Sequence, residues 1–326
     1  MGGDRAPAEI VAGAVAAAEE LGVPVVLVGD PEVLGDTGGL EVIAASEVIG
    51  MHDDPATAVR RKKDSSLVRA AEAVRDGRAA AMVSAGNTGA TMASALLRMG
   101  RLPGVSRPAI ATPIPVPGST PTVLLDAGAN AECSAAWLVQ FAQMGSAFAR
   151  QRYGIAEPRV GLLSIGEEPT KGNPLVKETH ALLAGGAAGP GLRFVGNVEG
   201  RDLMTDDVDV VVTDGFTGNV ALKTLEGGLK FLVSAVLGAF MATEEAKRAA
   251  EVLLPALAPL AEALDPDATG GALLLGVKGL CVISHGSSSA RAIVNAVRVA
   301  ADAISSDLIG NLAAAVAVPA ARGGGS

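Results

Sequence analysis

The 326-residue sequence has few aromatic residues and cysteines, and it lacks a surplus of positive charge. Aromatic residues make up 2% of the chain against 49% hydrophobic residues, so the core must be built from Ala, Val, Leu and Ile. The two cysteines, Cys133 and Cys281, lie far apart and have no C-x-x-C spacing, which disfavours a disulfide framework and a structural zinc site. The formal net charge of −9 argues against nucleic-acid binding, which needs clustered Lys and Arg.

A secretory signal and a long apolar run are also lacking. Asp4, Arg5 and Glu9 place charges where a signal peptide needs its apolar core. The longest uncharged stretches either contain several prolines, as in 108–125, or are amphipathic, as in 133–149, and neither suits a bilayer span. These absences predict a cytoplasmic protein.

Short apolar segments alternate with longer helical patterns along most of the chain. This alternation predicts an α/β class with βαβ units and a mostly parallel sheet. The prolines between Pro103 and Pro121 indicate a loop or an edge strand. We predict a single domain over residues 1–310, followed by a C-terminal tail over residues 311–326.

Residues 229–264 differ from this pattern. They predict two helices in a projecting hairpin, the first very apolar and the second interrupted by Pro255 and Pro259. A projecting helix pair of this composition exposes apolar surface unless something covers it.

Polar, glycine-rich loops follow four of the predicted strands. Because ligands of doubly wound sheets bind outside the carboxyl ends of the strands, we expect these loops to converge on one polar pocket. A single glycine turn commonly serves only to close a helix onto a strand, but the four loops together offer donors and charges that suit an oxyanion. The candidate residues are Ser84, Gly86, Asn87, Thr88 and Gly89, then Asp126 and Asn130, then Lys171, Gly172 and Asn173, and finally Asp214, Thr217, Gly218 and Asn219.

Several common catalytic motifs are missing from the sequence. There is no G-x-x-x-x-G-K-[ST] loop, no G-x-S-x-G elbow, no H-E-x-x-H motif, and no G-x-G-x-x-G after the first strands. We therefore expect no metal and no cofactor. Lys171 suits a different chemistry, in which an ammonium positions an anion and stabilises charge that grows during acyl transfer. Inorganic phosphate is itself a nucleophile, so no covalent enzyme intermediate is required.

Two further side chains have competing interpretations. Cys133 follows a glycine turn and could accept an acyl group, but a small residue at a helix start is the favoured interpretation because no histidine is tied to it in sequence. His285 follows another predicted strand. It is interpreted either as a turn residue or as a base and substrate contact.

The motifs MGGDRAP, AVRRKKDSS, VSAGNTGA, LLDAGAN with QFAQMG, GEEPTKGN, FVGNVEGRD, TDGFTGN and GGALLLGVKG with HGSSSA occur in one order along the chain. In this set and order the sequence resembles the phosphate acyltransferases of bacterial phospholipid synthesis, the PlsX family, from Met1 to about Ile304. The resemblance implies a three-layer α/β/α fold like that of phosphotransacetylase and the isocitrate and isopropylmalate dehydrogenases.

The resemblance also implies reversible transfer of a long fatty acyl group from acyl carrier protein to inorganic phosphate. The product, an acyl phosphate, would feed phosphatidic acid synthesis through a glycerol-phosphate acyltransferase. It implies a homodimer with its site in a cleft near the dimer interface. Lys171 and Asn219 match the family positions usually taken as central to catalysis.

Two surface features gain a second interpretation from the resemblance. The run Arg60, Arg61, Lys62 and Lys63 is either a solvated helix face or a basic patch for phosphate or for the acidic carrier protein. In the family the hairpin region is linked with peripheral membrane contact. The apolar candidates are Phe240, Met241, Leu253 and Leu254, and the alternative is dimer or core packing.

One departure from the family concerns the N-terminus. Family members usually begin with a further short strand before the MGGD turn, whereas this sequence begins at the methionine of that turn. We expect the Asp4 loop to be poorly anchored as a result.

Three rival functions stay open at this point. A phosphotransacylase that uses acyl-coenzyme A shares the chemistry but lacks these motifs. A decarboxylating NAD-dependent dehydrogenase shares the fold, but the sequence has no obvious clustered-aspartate metal site. A non-catalytic scaffold that docks synthesis enzymes on the membrane would keep the loops as relics.

Overall fold

The structure, a computed structural model, describes residues 1–317, with the backbone alone at Pro266. Within this range α-helices alternate with strands, as the sequence pattern predicts. The helices are α1 (Ala8–Leu21), α2 (Pro31–Leu34), α3 (Pro55–Arg61), α4 (Ser66–Arg75), α5 (Thr88–Arg98), α6 (Ala135–Tyr153), α7 (Pro174–Ala184), α8 (Gly215–Phe240), α9 (Glu244–Leu264), α10 (Pro266–Thr269), α11 (Ala290–Ser305) and α12 (Leu308–Val316).

The strands divide into one large sheet and one small sheet. They are β1 (Val26–Gly29), β2 (Glu41–Ala44), β3 (Ala81–Ser84), β4 (Ala109–Ile114), β5 (Thr122–Leu125), β6 (Arg159–Leu163), β7 (Arg193–Val198), β8 (Val210–Val212), β9 (Ala272–Leu275) and β10 (Leu280–Ile283). Eight of them form the large sheet in the order β3-β10-β9-β4-β5-β8-β6-β7.

Strand direction changes in the middle of the large sheet. The pairs β3–β10, β5–β8, β8–β6 and β6–β7 are parallel, which makes the sheet mostly parallel. The pairs β10–β9, β9–β4 and β4–β5 are antiparallel. Strands β3, β4 and β10 consequently run opposite to β5, β6, β7, β8 and β9.

This reversal corrects the expectation that four strand-end loops converge on one pocket. The loop after β3, which carries Ser84 and Asn87, lies at one end of the sheet with the loop after β10. The loops after β5, β6 and β8 lie at the other end. Sequence pattern identifies strands but not their relative direction, because side-chain alternation is the same for both orientations.

Side chains from the central strands enter two separate cores. Val123 and Leu125 pack into the core with α6, α11 and α12, while Leu124 between them packs into the core with α3, α4 and α5. Likewise, Val210 and Val212 pack into the first of these cores and Val211 into the second. Because successive strand residues point to opposite faces, these fully buried strands lie between two helical layers. The three-layer α/β/α prediction is confirmed.

The prediction that the proline-rich stretch forms a loop or an edge strand is wrong for β4. This strand lies inside the large sheet, between β9 and β5, although it contains Pro113. Strand β9 pairs only with Ala109 to Ala111, so Pro113 lies beyond the end of β9, where one side of β4 has no strand partner. A missing amide is tolerated at such a position.

Strands β1 and β2 form a two-stranded parallel sheet that is not paired with the large one. A cavity of about 550 Å³ lies between the small sheet and the large sheet, and it is lined by Val26 and Leu27 of β1 and by Met82 and Val83 of β3. The expectation of a poorly anchored Asp4 loop is not met. The Asp4 amide donates a 2.9 Å hydrogen bond to the Gly286 carbonyl, and Gly3 packs closely against the Ala85 carbonyl.

The helical hairpin is present, but its boundaries differ from the prediction. Its first helix, α8, begins at Gly215 rather than near residue 229, so it is continuous with the loop that carries Asn219. The second helix, α9, is not interrupted. Pro255 and Pro259 are exposed and lie within it. Prolines four residues apart remove amide donors from one face only, and the remaining bonds continue the helix.

Residues 311–316 of the predicted C-terminal tail belong to a helix instead. Helix α12 continues to Val316, and its Leu308, Leu312 and Val316 are buried in the core with α6. Residues 318–326 of that predicted tail lie outside the described range.

Candidate active site

The turn that carries Lys171 is held by its neighbouring strand. The Ser164 amide donates to the Val198 carbonyl, and the buried Asn197 side chain donates to the Glu168 carbonyl at 2.9 Å. Gly172 adopts φ +92°, where a side chain is strained and where an added Cβ would lie 2.6 Å from Val176. The turn therefore projects Lys171 at the carboxyl end of β6, next to Asn173, which caps α7 by accepting from the Val176 amide.

The start of α8 packs against the loop after β5. Asp214 caps α8 by accepting hydrogen bonds from the amide and the hydroxyl of Thr217. The Gly215 amide donates to the Asn130 carbonyl, and a Cβ on Gly218 would lie 2.0 Å from the Asp126 carbonyl oxygen. These contacts bring the loops after β5 and β8 together at one end of the sheet.

Asp126 organises that end of the sheet. Its buried carboxylate accepts hydrogen bonds from the amides of Ile110, Gly128, Ala129 and Asn130 and from the Asn130 side chain. Burial raises the pKa of Asp126 despite these hydrogen bonds. With its oxygens committed to backbone amides, Asp126 shapes the loop.

Asn219 and Lys171 differ from the capping residues Asn173 and Asp214. In residues 1–317, neither side chain makes a hydrogen bond or an ion pair, and both are exposed. Asn219 lies against Gly128, whose added Cβ would come within 3.6 Å of the Asn219 side chain. Because β6 and β8 are adjacent and parallel, the two loops with free donors are neighbours at the same end of the sheet.

The loop after β3 forms a separate group at the opposite end. The Asn87 side chain caps α5 by accepting from the Ala90 amide, and it donates to the carbonyls of Gly50, Met51 and Asp53. Ser84 hydrogen-bonds Thr91 and accepts from the Gly86 amide. Gly89 lies against Pro55. Thr88 alone among the polar residues of this loop is exposed and makes no hydrogen bond within residues 1–317.

His285 follows β10, at the same end of the large sheet as the loop after β3. It contacts helix α8, which begins at the other end of the sheet. Its Nε2 lies 3.6 Å from Glu226 Oε1, and Glu226 Oε2 accepts a 2.8 Å hydrogen bond from Lys223 Nζ. Lys223 and Glu226 are not among the site residues predicted from the sequence. Their spacing of four and seven residues after Asn219 indicates one helix face, but their proximity to His285 has no local signal in the sequence.

Neither cysteine has the environment of a nucleophile. Burial, with a smaller effect from the Asp126 charge, raises the pKa of Cys133 to about 12. Burial also raises the pKa of Cys281 to about 12. Both thiols therefore stay protonated near neutral pH, which fits the interpretation of Cys133 as a small residue before a helix.

In the basic run of residues 60–63, one cation is paired with a carboxylate, and the other three have no ion pair within residues 1–317. Lys62 Nζ hydrogen-bonds Asp53 at 2.6 Å and the Val48 carbonyl at 2.8 Å, and this contact lowers the pKa of Asp53. Arg60, Arg61 and Lys63 are exposed and form no ion pair within the described chain.

The hairpin carries most of the exposed large apolar side chains. Phe231, Met241, Val252, Leu253 and Leu254 are among them, whereas Phe240 is half-buried. No single helix in residues 1–317 has the length and apolar composition of a membrane span, and only α11 and α12 taken together, with a 61° bend between them, reach that composition.

Comparison with known proteins identifies the family. A family model described as "Fatty acid synthesis protein" matches residues 1–311. A phosphate acyltransferase of Heliobacterium modesticaldum is 48% identical over 95% of this chain and 93% of its own length. One from Pelotomaculum thermopropionicum is 47% identical over 100% and 96%. The chain belongs to the phosphate acyltransferase family. It is accordingly an acyltransferase.

Solved structures with low sequence identity share the fold of this acyltransferase. The EutD phosphotransacetylase of Staphylococcus aureus matches with a TM-score of 0.57 at 16% identity, covering 95% of this chain and 91% of that one. A branched-chain phosphotransacylase of Enterococcus faecalis matches with a TM-score of 0.59 at 16% identity, covering 92% and 96%. The predicted phosphotransacetylase-like fold is confirmed.

Proposed function

We propose that this phosphate acyltransferase moves a long-chain fatty acyl group from acyl carrier protein to inorganic phosphate, reversibly, to supply acyl phosphate for phosphatidic acid synthesis. Family membership supports acyl transfer to phosphate. The observation that carries the site assignment is the pair Lys171 and Asn219, whose exposed side chains have no hydrogen-bond or ion-pair partner within residues 1–317 and lie in neighbouring loops, beside the capping residues Asn173 and Asp214.

The chemistry needs few protein groups. A phosphate oxygen attacks the thioester carbonyl carbon, the carbonyl oxygen becomes an oxyanion, and the C–S bond then breaks to give acyl phosphate and a thiolate. Lys171 attracts the phosphate and screens its charge during attack, and the Asn219 amide donates to the developing oxyanion. Both thiols are protonated and Cys133 is half-buried, so direct attack by phosphate is favoured over an acyl-enzyme.

Other residues would contact the substrate or its carrier away from the reacting atoms. Thr88, Gly86 and Gly89 belong to the opposite sheet end and would contact a more distant part of the substrate. Arg60, Arg61 and Lys63 would attract the acidic carrier protein. We propose a cytoplasmic homodimer, with Met241, Leu253 and Leu254 of the hairpin making peripheral membrane contact near the glycerol-phosphate acyltransferase.

The decisive experiment measures release of carrier thiol from palmitoyl-acyl carrier protein as a function of phosphate concentration, with acyl phosphate trapped by hydroxylamine. We expect Lys171→Ala to lower turnover at least about 100-fold because it removes the cation at the reacting phosphate. Lys177→Ala, which removes an exposed cation from the adjacent helix α7, is the matched control and should leave turnover unchanged.

Three outcomes would change the assignment. Equal turnover of palmitoyl-coenzyme A would support the alternative donor. Binding of the carrier thioester without any phosphate-dependent turnover in a folded wild-type protein would support the scaffold. A Lys171→Ala protein that turns over normally would remove Lys171 from the site.

A further inference from the structure

Helix α8 carries a polar stripe between the two ends of the sheet. Asn219, Lys223 and Glu226 are spaced at i, i+4 and i+7, so they lie within about 60° of one another around the helix axis and span about 10 Å along it. The stripe begins at Gly128, beside Asn219, and ends at His285, beside Glu226. Ala221 and Leu225 point away from this stripe and pack against the core together with Leu222, and these contacts fix the rotation of the helix.

Glu226 contacts two groups that can carry positive charge. Its two carboxylate oxygens lie 2.8 Å from Lys223 Nζ and 3.6 Å from His285 Nε2. The Glu226 side chain is 29% exposed, whereas those of Lys223 and His285 are 50% and 49% exposed. The carboxylate is thus the more buried partner, and the ammonium and the imidazole face solvent on either side of it.

We propose that Glu226 is a positioning residue that holds Lys223 and His285 as a phosphate-binding pair, so that Lys223 supplies the substrate with a second cation in addition to Lys171. This inference rests on the proposed function for its substrate, a phosphate group. The group is either the inorganic acceptor or the phosphodiester of the carrier's pantetheine arm, because both present the same oxyanion to an ammonium.

A surface ion pair offers a simpler explanation of the Lys223–Glu226 contact. Pairs spaced i, i+3 on an exposed helix face contribute only a few tenths of a kcal/mol. Such a pair also occurs between Glu244 and Lys247 of α9, at 2.7 Å. That second pair is the matched control, since it has the same chemistry and spacing on the hairpin.

The test compares KM and kcat for Lys223→Met, Lys223→Arg, Glu226→Gln and Glu244→Gln. We expect Lys223→Met to raise a KM for a phosphate-bearing substrate about tenfold with kcat within a factor of two, and Lys223→Arg to restore most of the affinity. Glu226→Gln should raise the same KM. Removal of a negative charge that acted only through its field would instead strengthen phosphate binding and lower KM.

Two donors separate the sources of the phosphate group. A higher KM for inorganic phosphate with both palmitoyl-acyl carrier protein and palmitoyl-pantetheine identifies the acceptor. A higher KM for the carrier thioester alone identifies the phosphodiester, which palmitoyl-pantetheine lacks. Unchanged KM values in Lys223→Met and Glu226→Gln, or changes matched by Glu244→Gln, would overturn the inference.

Direct binding of radiolabelled inorganic phosphate and of unacylated carrier protein keeps this test independent of turnover. A wild-type protein that transfers no acyl group but binds either probe through Lys223 would refute the proposed function and leave the inference standing. If acyl transfer is normal and Lys223→Met leaves the binding of both probes unchanged, the inference is refuted and the proposed function stands.

Discussion

At the scale of single residues, composition alone could not separate ligand-binding side chains from helix caps. Asn87, Asn173 and Asp214 each follow a strand and precede a helix, and each caps that helix with its side chain. Asn219 has the same residue type as two of them but lies inside α8, past the cap, and its side-chain amide makes no hydrogen bond to any residue that the structure describes. A sequence shows the residue types, but the position at which each helix begins decides which side chains hydrogen-bond the backbone as caps and which do not.

Gly218 shows the same division between packing and binding. The sequence predicts that Gly218 contacts the substrate, whereas in the structure Gly218 packs against the Asp126 carbonyl oxygen. We expect Gly218→Ala to displace the start of α8 and to lower the free energy of unfolding by about 1–3 kcal/mol, with loss of activity. Chemical denaturation with a parallel activity assay measures both effects.

Gly228→Ala is the matched control on the same helix. A Cβ at Gly228 meets no atom within 4 Å, so alanine there should raise stability by about 0.5–1 kcal/mol. A Gly218→Ala protein with wild-type stability and activity would show that α8 adjusts freely, which contradicts the packing role.

At the scale of elements, the sequence predicts most helices and strands and their layer order. The fully buried segments TVLL and VVV are predicted as strands because they are short, apolar and bounded by turns. The pairing of β4 beside β9 is not predictable from sequence, because it joins segments more than 150 residues apart. The pairs β4–β5 and β9–β10 are local, but side-chain alternation does not reveal whether such strands run parallel or antiparallel. The length of α8 was missed because Gly227 and Gly228 resemble a helix end.

The hairpin of α8 and α9 allows a test at this scale. Leu253 and Leu254 are exposed, whereas Ala250 of the same helix is buried. We expect a Leu253→Glu/Leu254→Glu protein to lose flotation with liposomes that contain anionic phospholipid, because two charges cannot enter the acyl region without a large desolvation cost. Flotation and sedimentation analysis on the same samples measure membrane binding and dimer formation.

A control and a contrary outcome make that test decisive. Val33→Glu changes an apolar side chain of similar exposure on α2, away from the hairpin, and should leave flotation unchanged. Conversion of the double variant to a monomer would show that these leucines pack against a second copy instead of the membrane.

At the scale of the whole molecule, charge is unevenly distributed. The chain carries a net charge of −9, yet Arg60, Arg61 and Lys63 stand together at the end of α3 and form no ion pair with any residue of the described range 1–317. Two acidic proteins repel each other at long range, so association between this protein and an acidic carrier requires a local region of opposite sign. Lys62 does not contribute to that region, since its ammonium is bound by Asp53.

This asymmetry predicts how donor affinity depends on salt. We expect Arg60→Glu/Arg61→Glu to raise the KM for palmitoyl-acyl carrier protein about tenfold at low ionic strength and to leave the KM for the small donor palmitoyl-pantetheine unchanged. The wild-type KM for the carrier should rise with added salt, while that of the variant should stay nearly flat. Lys247→Glu/Arg248→Glu on α9 changes the net charge equally, so an equal effect of that control would assign the salt dependence to total charge and not to the end of α3.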